Sequence, residues 1–150
     1  MSNLHIIGIG DDGTAGLSEA ARTILASADL LMGESGPLSS VSVVTQQATP
    51  IVIGGDLELA VQTIRSNLDK QIVVLAAGDP LFYGIARYLA DELGKEAFDV
   101  LPHVSSMQLA FARVKESWDD AYLANLASQP IERVVERIRI SEKVGDDFGC

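Results

Sequence analysis

The chain is 150 residues long, with 47% hydrophobic and 21% charged residues, which suffices for one domain with its own core and excludes a disordered chain. Eleven Lys and Arg against 21 Asp and Glu give a formal charge of −10, with no basic cluster, which excludes nucleic acid and an anionic membrane surface as partners. No apolar run reaches the roughly 18 residues of a membrane span. The amino terminus has no signal-peptide pattern, and the single cysteine, Cys150, permits no intramolecular disulfide, so a soluble cytoplasmic protein is expected.

Leu4 to Ile9 is a continuous apolar run that predicts a buried strand, and it runs into the turn Gly8-Ile9-Gly10-Asp11-Asp12-Gly13. Leu17 to Ala28 predicts an Ala-rich helix and Asp29 to Met32 a short strand, while residues 33–49, rich in Gly, Ser, Thr and Gln, carry no period that assigns them. Pro50 to Ile53 predicts a third strand ending in Gly54-Gly55. Asp56 is then placed to cap a helix whose stripe is Leu57, Val61, Ile64 and Leu68. Ile72 to Ala77 is the most apolar strand. A helix with Phe82, Ala86, Leu89 and Leu93 on one face follows, with Gly94 at the C-cap, and Phe98 to Leu101 makes a fifth strand. This alternation predicts an α/β fold, a parallel sheet in a three-layer arrangement.

After Pro102 the pattern changes. Ser105 to Val114 predicts a helix, Trp118 opens a linker, and Tyr122 to Leu126 is a strand candidate. Pro130 suits the first turn of a helix with Ile131, Val134, Val135 and Ile138 facing inward, and Gly145 to Cys150 has no apolar pattern. The expected division is an α/β domain over 1–114 and, over 115–150, the truncated start of a second domain. A strand and a helix cannot bury a core of their own.

Two turns stand out. Gly8-x-Gly10-x-x-Gly13 after a strand satisfies the dinucleotide fingerprint, with Glu34 as a ribose acid, but Asp11 and Asp12 at the variable positions would repel a pyrophosphate. The competing reading is a tight turn that needs glycine for close packing. Gly78-Asp79-Pro80-Leu81-Phe82-Tyr83-Gly84 follows the most apolar strand. Gly78 lets backbone approach a ligand, Pro80 stiffens the turn, Asp79 is placed to cap the next helix, and Phe82 serves an organic ligand or the helix core. His103 near Ser105 and Ser106 invites a hydrolase reading, but no Gly-x-Ser-x-Gly elbow is present. The serines read as helix caps or as ligand contacts. His5 reads as a core or edge histidine, and two distant histidines with a terminal cysteine make no zinc set.

In order along the chain, Ile7-Gly8-Ile9-Gly10-Asp11-Asp12-Gly13 with Gly16-Leu17-Ser18, Ala28-Asp29, Ala77 to Gly84, Val104-Ser105-Ser106, Phe111-Ala112-Arg113 and Trp118-Asp119-Asp120 resemble the tetrapyrrole methylases. The likeness runs from Leu4 to about Gly145. It is strongest to the precorrin-6Y C5,15-methyltransferase and cobalt-precorrin-7 C5-methyltransferase branch. The resemblance implies methyl transfer from S-adenosylmethionine to carbon of a tetrapyrrole, chemistry that asks chiefly for alignment of donor and acceptor. It implies cofactor contacts at Ala77, Gly78, Asp79 and Phe82, with a second segment at Ser105 and Ser106. The tetrapyrrole side falls on Gly8, Gly10, Asp11 and Gly13. Arg87 and Arg113 are assigned to the substrate's carboxylates by charge alone. A homodimer is the family tendency, and two-domain members imply that this chain holds the first domain and the opening of the second. Readings of other classes are a non-catalytic remnant or interaction module, and a nucleotide-dependent oxidoreductase resting on the Gly8 turn.

Overall fold

Strands that are apolar on both sides fit only where helices cover both faces of a sheet. Two such runs form strands β1, Leu4–Ile9, and β4, Ile72–Ala77. The computed structural model describes residues 3–45, 47–82, 84–126, 129–140 and 144–146, and the chain divides into two units, residues 1–103 and 104–150.

In the first unit β1 and β4 pair in parallel from Leu4↔Ile72 to Ile9↔Ala77. Beyond β4 lie β2, Leu30–Gly33, and then β3, Thr49–Val52; β5, Asp99–Leu101, pairs with the other side of β1. The order β3-β2-β4-β1-β5 is parallel throughout. Pro50, which has no N–H to donate, sits on the edge strand β3, where its loss is tolerated.

Alternate strand residues sort into two cores. Ile6, Met32 and Val74 pack with Ala60, Val61 and Ile64 of α3 (Leu57–Arg65) and with Ala86 and Leu89 of α4 (Ile85–Leu93). Ile7, Leu31 and Leu75 pack with Ala21 and Leu25 of α1 (Glu19–Ala26) and with Leu38 of α2 (Ser35–Ser40). Helices on both faces of the parallel sheet make the three layers expected.

Caps set several boundaries. Ser18 Oγ accepts the Ala21 N–H at 3.1 Å and Asp56 Oδ1 accepts the Leu59 N–H at 3.0 Å, so the first orphan amides of α1 and α3 are satisfied. Gly94, at φ 88°, stops α4. Some elements differ from expectation. The unassigned stretch 33–49 contains α2, whose Pro37 lies in the first turn where no intrahelical N–H bond is lost. Leu68 lies beyond the end of α3 and is exposed, and Phe82 precedes α4 rather than lining its face.

The second unit, taken by itself, contains α5 (Ser106–Val114), β6 (Tyr122–Ala124), α6 (Ile131–Ile140) and β7 (Val144–Asp146), with β6 and β7 parallel. Strand β7 includes Gly145 and Asp146, where the sequence shows no apolar pattern; residues 147–150 lie outside the described ones. Among the described residues of this unit, Met107, Ala124 and Val134 are the buried apolar side chains. Ile131, Val135 and Ile138, expected to face inward, are exposed. The described strands of this unit are two, of three residues each, and so narrow a sheet offers little surface to an apolar helix stripe. The Arg137 guanidinium sits 5.1 Å from the Tyr122 ring centroid and ties α6 to β6.

Candidate functional site

The chain leaves β1 through a 3₁₀ turn, Gly13–Gly16, toward the face that carries α1. It leaves the neighbouring strand β4 toward the opposite face, which carries α4. Where adjacent parallel strands send their connections to opposite faces, a crevice opens outside their carboxyl ends. That crevice lies between the two glycine-bearing turns.

The ladder extends one step past the strands, with the Gly78 N–H donating to the Ile9 carbonyl at 2.8 Å. Gly78 then takes φ 70°, a left-handed conformation that costs other residues roughly 1–2 kcal/mol. The burial of β4 ends at the same point: Ile72 to Leu75 are buried, Ala77 is exposed, and Gly78 and Asp79 are half-buried. Asp79 does not cap α4, whose N-cap is Gly84; its Oδ1 accepts the Leu81 N–H at 2.9 Å and closes the turn locally. Phe82 follows, half-buried, while Tyr83 lies outside the described residues.

Across the crevice Gly10 accepts the Gly13 N–H at 3.1 Å, and Asp11 and Asp12 are exposed at the bend. Gly8 is enclosed by protein. A methyl group added there would run into the Gly78 carbonyl and come within 2.8 Å of His103 Cβ. The glycine is required by close packing, and the turn that follows does not suit a dinucleotide: α1 begins only at Glu19, after a 3₁₀ turn, and the intervening residues carry two carboxylates. Glu34, the proposed ribose acid, is exposed at the start of the six-residue α2.

The β1 turn thus carries Gly8 and Gly13 buried, with Gly10 half-buried and Asp11 exposed, and the β4 turn carries Ala77, Gly78 and Asp79. Arg87 is exposed on α4 and makes no hydrogen bond or ion pair to a described residue. In the second unit, Ser105 is buried and acts as a cap. Its Oγ accepts the Gln108 N–H at 3.2 Å while Gln108 Oε1 accepts the Ser105 N–H at 2.8 Å, a complete capping box. Ser106 and Arg113 are exposed on α5. Among the described residues no group of three His, Cys, Asp or Glu side chains is placed to hold a metal, and no helix is long and apolar enough to cross a membrane.

The meeting of His103 with Asp12 escaped the motif reading, which weighed His103 only beside Ser105 and Ser106. The β1–β5 register, with His5 opposite Asp99 and Ile7 opposite Leu101, leads the chain past the end of β5 to place His103 against Gly8 and Gly10. Its imidazole Nε2 lies 4.0 Å from Asp12 Oδ1. The residues are far apart in sequence, so only the strand register could have revealed the pair.

A parallel three-layer α/β domain with its switch point between two glycine-bearing turns is thus the class of structure. The family model for tetrapyrrole (corrin/porphyrin) methylases matches residues 3–146, and the chain belongs to that family. It is 34% identical over 132 residues to a Sinorhizobium protein named precorrin-6Y C(5,15)-methyltransferase (decarboxylating), covering 87% of this chain and 32% of the relative. It is 31% identical over 122 residues to the cobalt-precorrin-7 C(5)-methyltransferase of Salmonella typhimurium, covering 81% of this chain and 60% of that one. The chain therefore spans about a third of the first of these relatives and three fifths of the second. The crystal structure of a cobalamin biosynthesis precorrin-6Y methylase from Archaeoglobus fulgidus has the same fold, with a TM-score of 0.68 at 22% identity, covering 83% of this chain and 64% of that one.

Proposed function

We propose that this protein works as an S-adenosylmethionine-dependent methyltransferase on a corrin precursor of the precorrin-6Y or cobalt-precorrin-7 kind, a step of cobalamin biosynthesis. The observation that carries the reading is the pair of glycine-bearing turns at the β1–β4 switch point, in a chain of the tetrapyrrole methylase family. Ala77, Gly78, Asp79 and Phe82 are the residues that would hold the cofactor. The local chemistry fits it. The strand tip is exposed and turns at a glycine with positive φ, and the carboxylates of Asp11, Asp12 and Asp79 on these turns favour a cationic sulfonium over a polyphosphate. Ser106, which the family resemblance assigns to the cofactor, is exposed in the first turn of α5 in the second unit.

When bound, S-adenosylmethionine supplies an electrophilic methyl group. The chain's part is to orient: the turn at Gly78 is pinned by its bond to Ile9, by Pro80 and by the Asp79–Leu81 bond, so the backbone facing the ligand is set before binding. Such alignment is worth up to about 7–11 kcal/mol of a barrier. Gly10 and Asp11 would face the tetrapyrrole side, while Gly8 and Gly13 are buried and shape the turn beneath them, and Arg87 is the proposed carboxylate partner on this unit.

The experiment is isothermal titration of the protein with S-adenosylhomocysteine. The expected result is saturable one-to-one binding, weakened about tenfold or more by Gly78→Val, a loss of roughly 1.4 kcal/mol or more. Absence of binding by the unaltered protein at high micromolar ligand overturns the reading.

A further inference from the structure

The crevice holds a side-chain pair for which the surrounding backbone has been cleared. A methyl group on Gly10 would sit 2.8 Å from His103 Nε2 and 3.0 Å from Asp12 Oδ1, and one on Gly16 would stand 2.6 Å from Asp12 Cγ. With Gly8 abutting His103 Cβ, three glycines leave the room in which the imidazole and the carboxylate stand. Neither side chain serves the fold by an evident bond. Asp12 occupies the N-cap position of the 3₁₀ turn without a side-chain cap, and His103 makes no hydrogen bond to a described residue. The imidazole is only 16% exposed, whereas the Asp12 side chain is 57% exposed.

The geometry points to His103 as the proton acceptor of the methyl-transfer reaction at this crevice, with Asp12 facing the imidazolium that forms; the inference rests on the methyltransferase reading above. Alignment brings donor and acceptor together, but the proton released still needs a destination. When a ring carbon bearing hydrogen is methylated from a sulfonium, the S–CH3 pair stays on sulfur and a ring π pair makes the new C–C bond. The C–H pair then returns to the ring and a proton departs. His103 Nε2 takes that proton, and Asp12 Oδ1 at 4.0 Å balances the charge.

The other titratable groups on the turns around this site are Asp11, Asp12 and Asp79. Carboxylates are far weaker bases than imidazole, and Asp79 already accepts the Leu81 N–H. Imidazole is the side chain whose ordinary basicity suits proton acceptance near neutral pH.

The test uses the whole protein with precorrin-6Y as acceptor and two variants, His103→Gln and Asp12→Asn. In His103→Gln the expected result is a single-turnover methylation rate lower by about 100-fold or more, loss of the acid limb of its pH profile, and S-adenosylhomocysteine affinity within about twofold of wild type. Asp12→Asn, an isosteric change at an exposed position, is expected to slow the step about tenfold while keeping the acid limb. Independently of turnover, precorrin-6Y is expected to shift the His103 imidazole resonances in long-range 1H–15N spectra and leave those of His5, the other histidine in the chain, in place. An unchanged rate in His103→Gln with binding retained, or His103 resonances unmoved by the acceptor, overturns the proton role and leaves the methyltransferase reading standing. Failure of the unaltered protein to bind S-adenosylhomocysteine overturns both.

Discussion

The two units of the chain use apolar residues in opposite ways. In the first, Ile6, Ile7, Met32 and Val74 are wholly buried between layers, each strand covered on both faces by helices that the same stretch of chain supplies. In the second, α6 has a comparable apolar stripe, yet Val134 is buried while Ile131, Val135 and Ile138 face solvent. An amphipathic period states that one face of a helix is apolar. Whether that face is covered depends on how much surface the neighbouring elements present, and in the second unit the described strands are three residues each.

The largest effect is expected where the comparison is sharpest. Ile6→Ala, at a fully buried position, should lower unfolding stability by about 2–5 kcal/mol in a urea titration; a loss below about 1 kcal/mol would deny the first unit its close-packed core. Gly8→Ala should cost about 1–3 kcal/mol in the same measurement, because its methyl meets the Gly78 carbonyl and His103 rather than open space. A cost near zero would mean the turns are not held together as described. Ser105→Ala removes a capping box and should cost about 1 kcal/mol. Hydrogen exchange should show faster opening of α5 with β1 and β4 unaltered, and equal acceleration in both units would erase the distinction between them. The smallest effect belongs to Ile138→Ala, expected within about 0.5 kcal/mol, since the side chain is already exposed. A loss like that of Ile6 would show that α6 is covered in solution.

Legibility followed locality. The limits of β1 and β4, the caps at Asp56 and Ser105, and the stop at Gly94 could be read from runs of a few residues, because hydrophobic continuity and terminal hydrogen bonds are decided within one or two turns of chain. Helix α2 was missed since its core contacts, Leu38 and the following Val41, sit among serines that blur the period. Asp79 reads as a helix cap in the sequence because an Asx turn and an N-cap use the same side chain, and the distance to Gly84 decides between them.

By itself the sequence determined the class of fold, the two glycine-bearing turns and the family they belong to, since each is written in residues adjacent along the chain. Tertiary structure alone decided the strand order, the position of the crevice, the meeting of Asp12 with His103 and the exposure of α6. Those features depend on parallel register between strands tens of residues apart. Register is set by which faces find cover in the folded chain, a quantity that no local window contains.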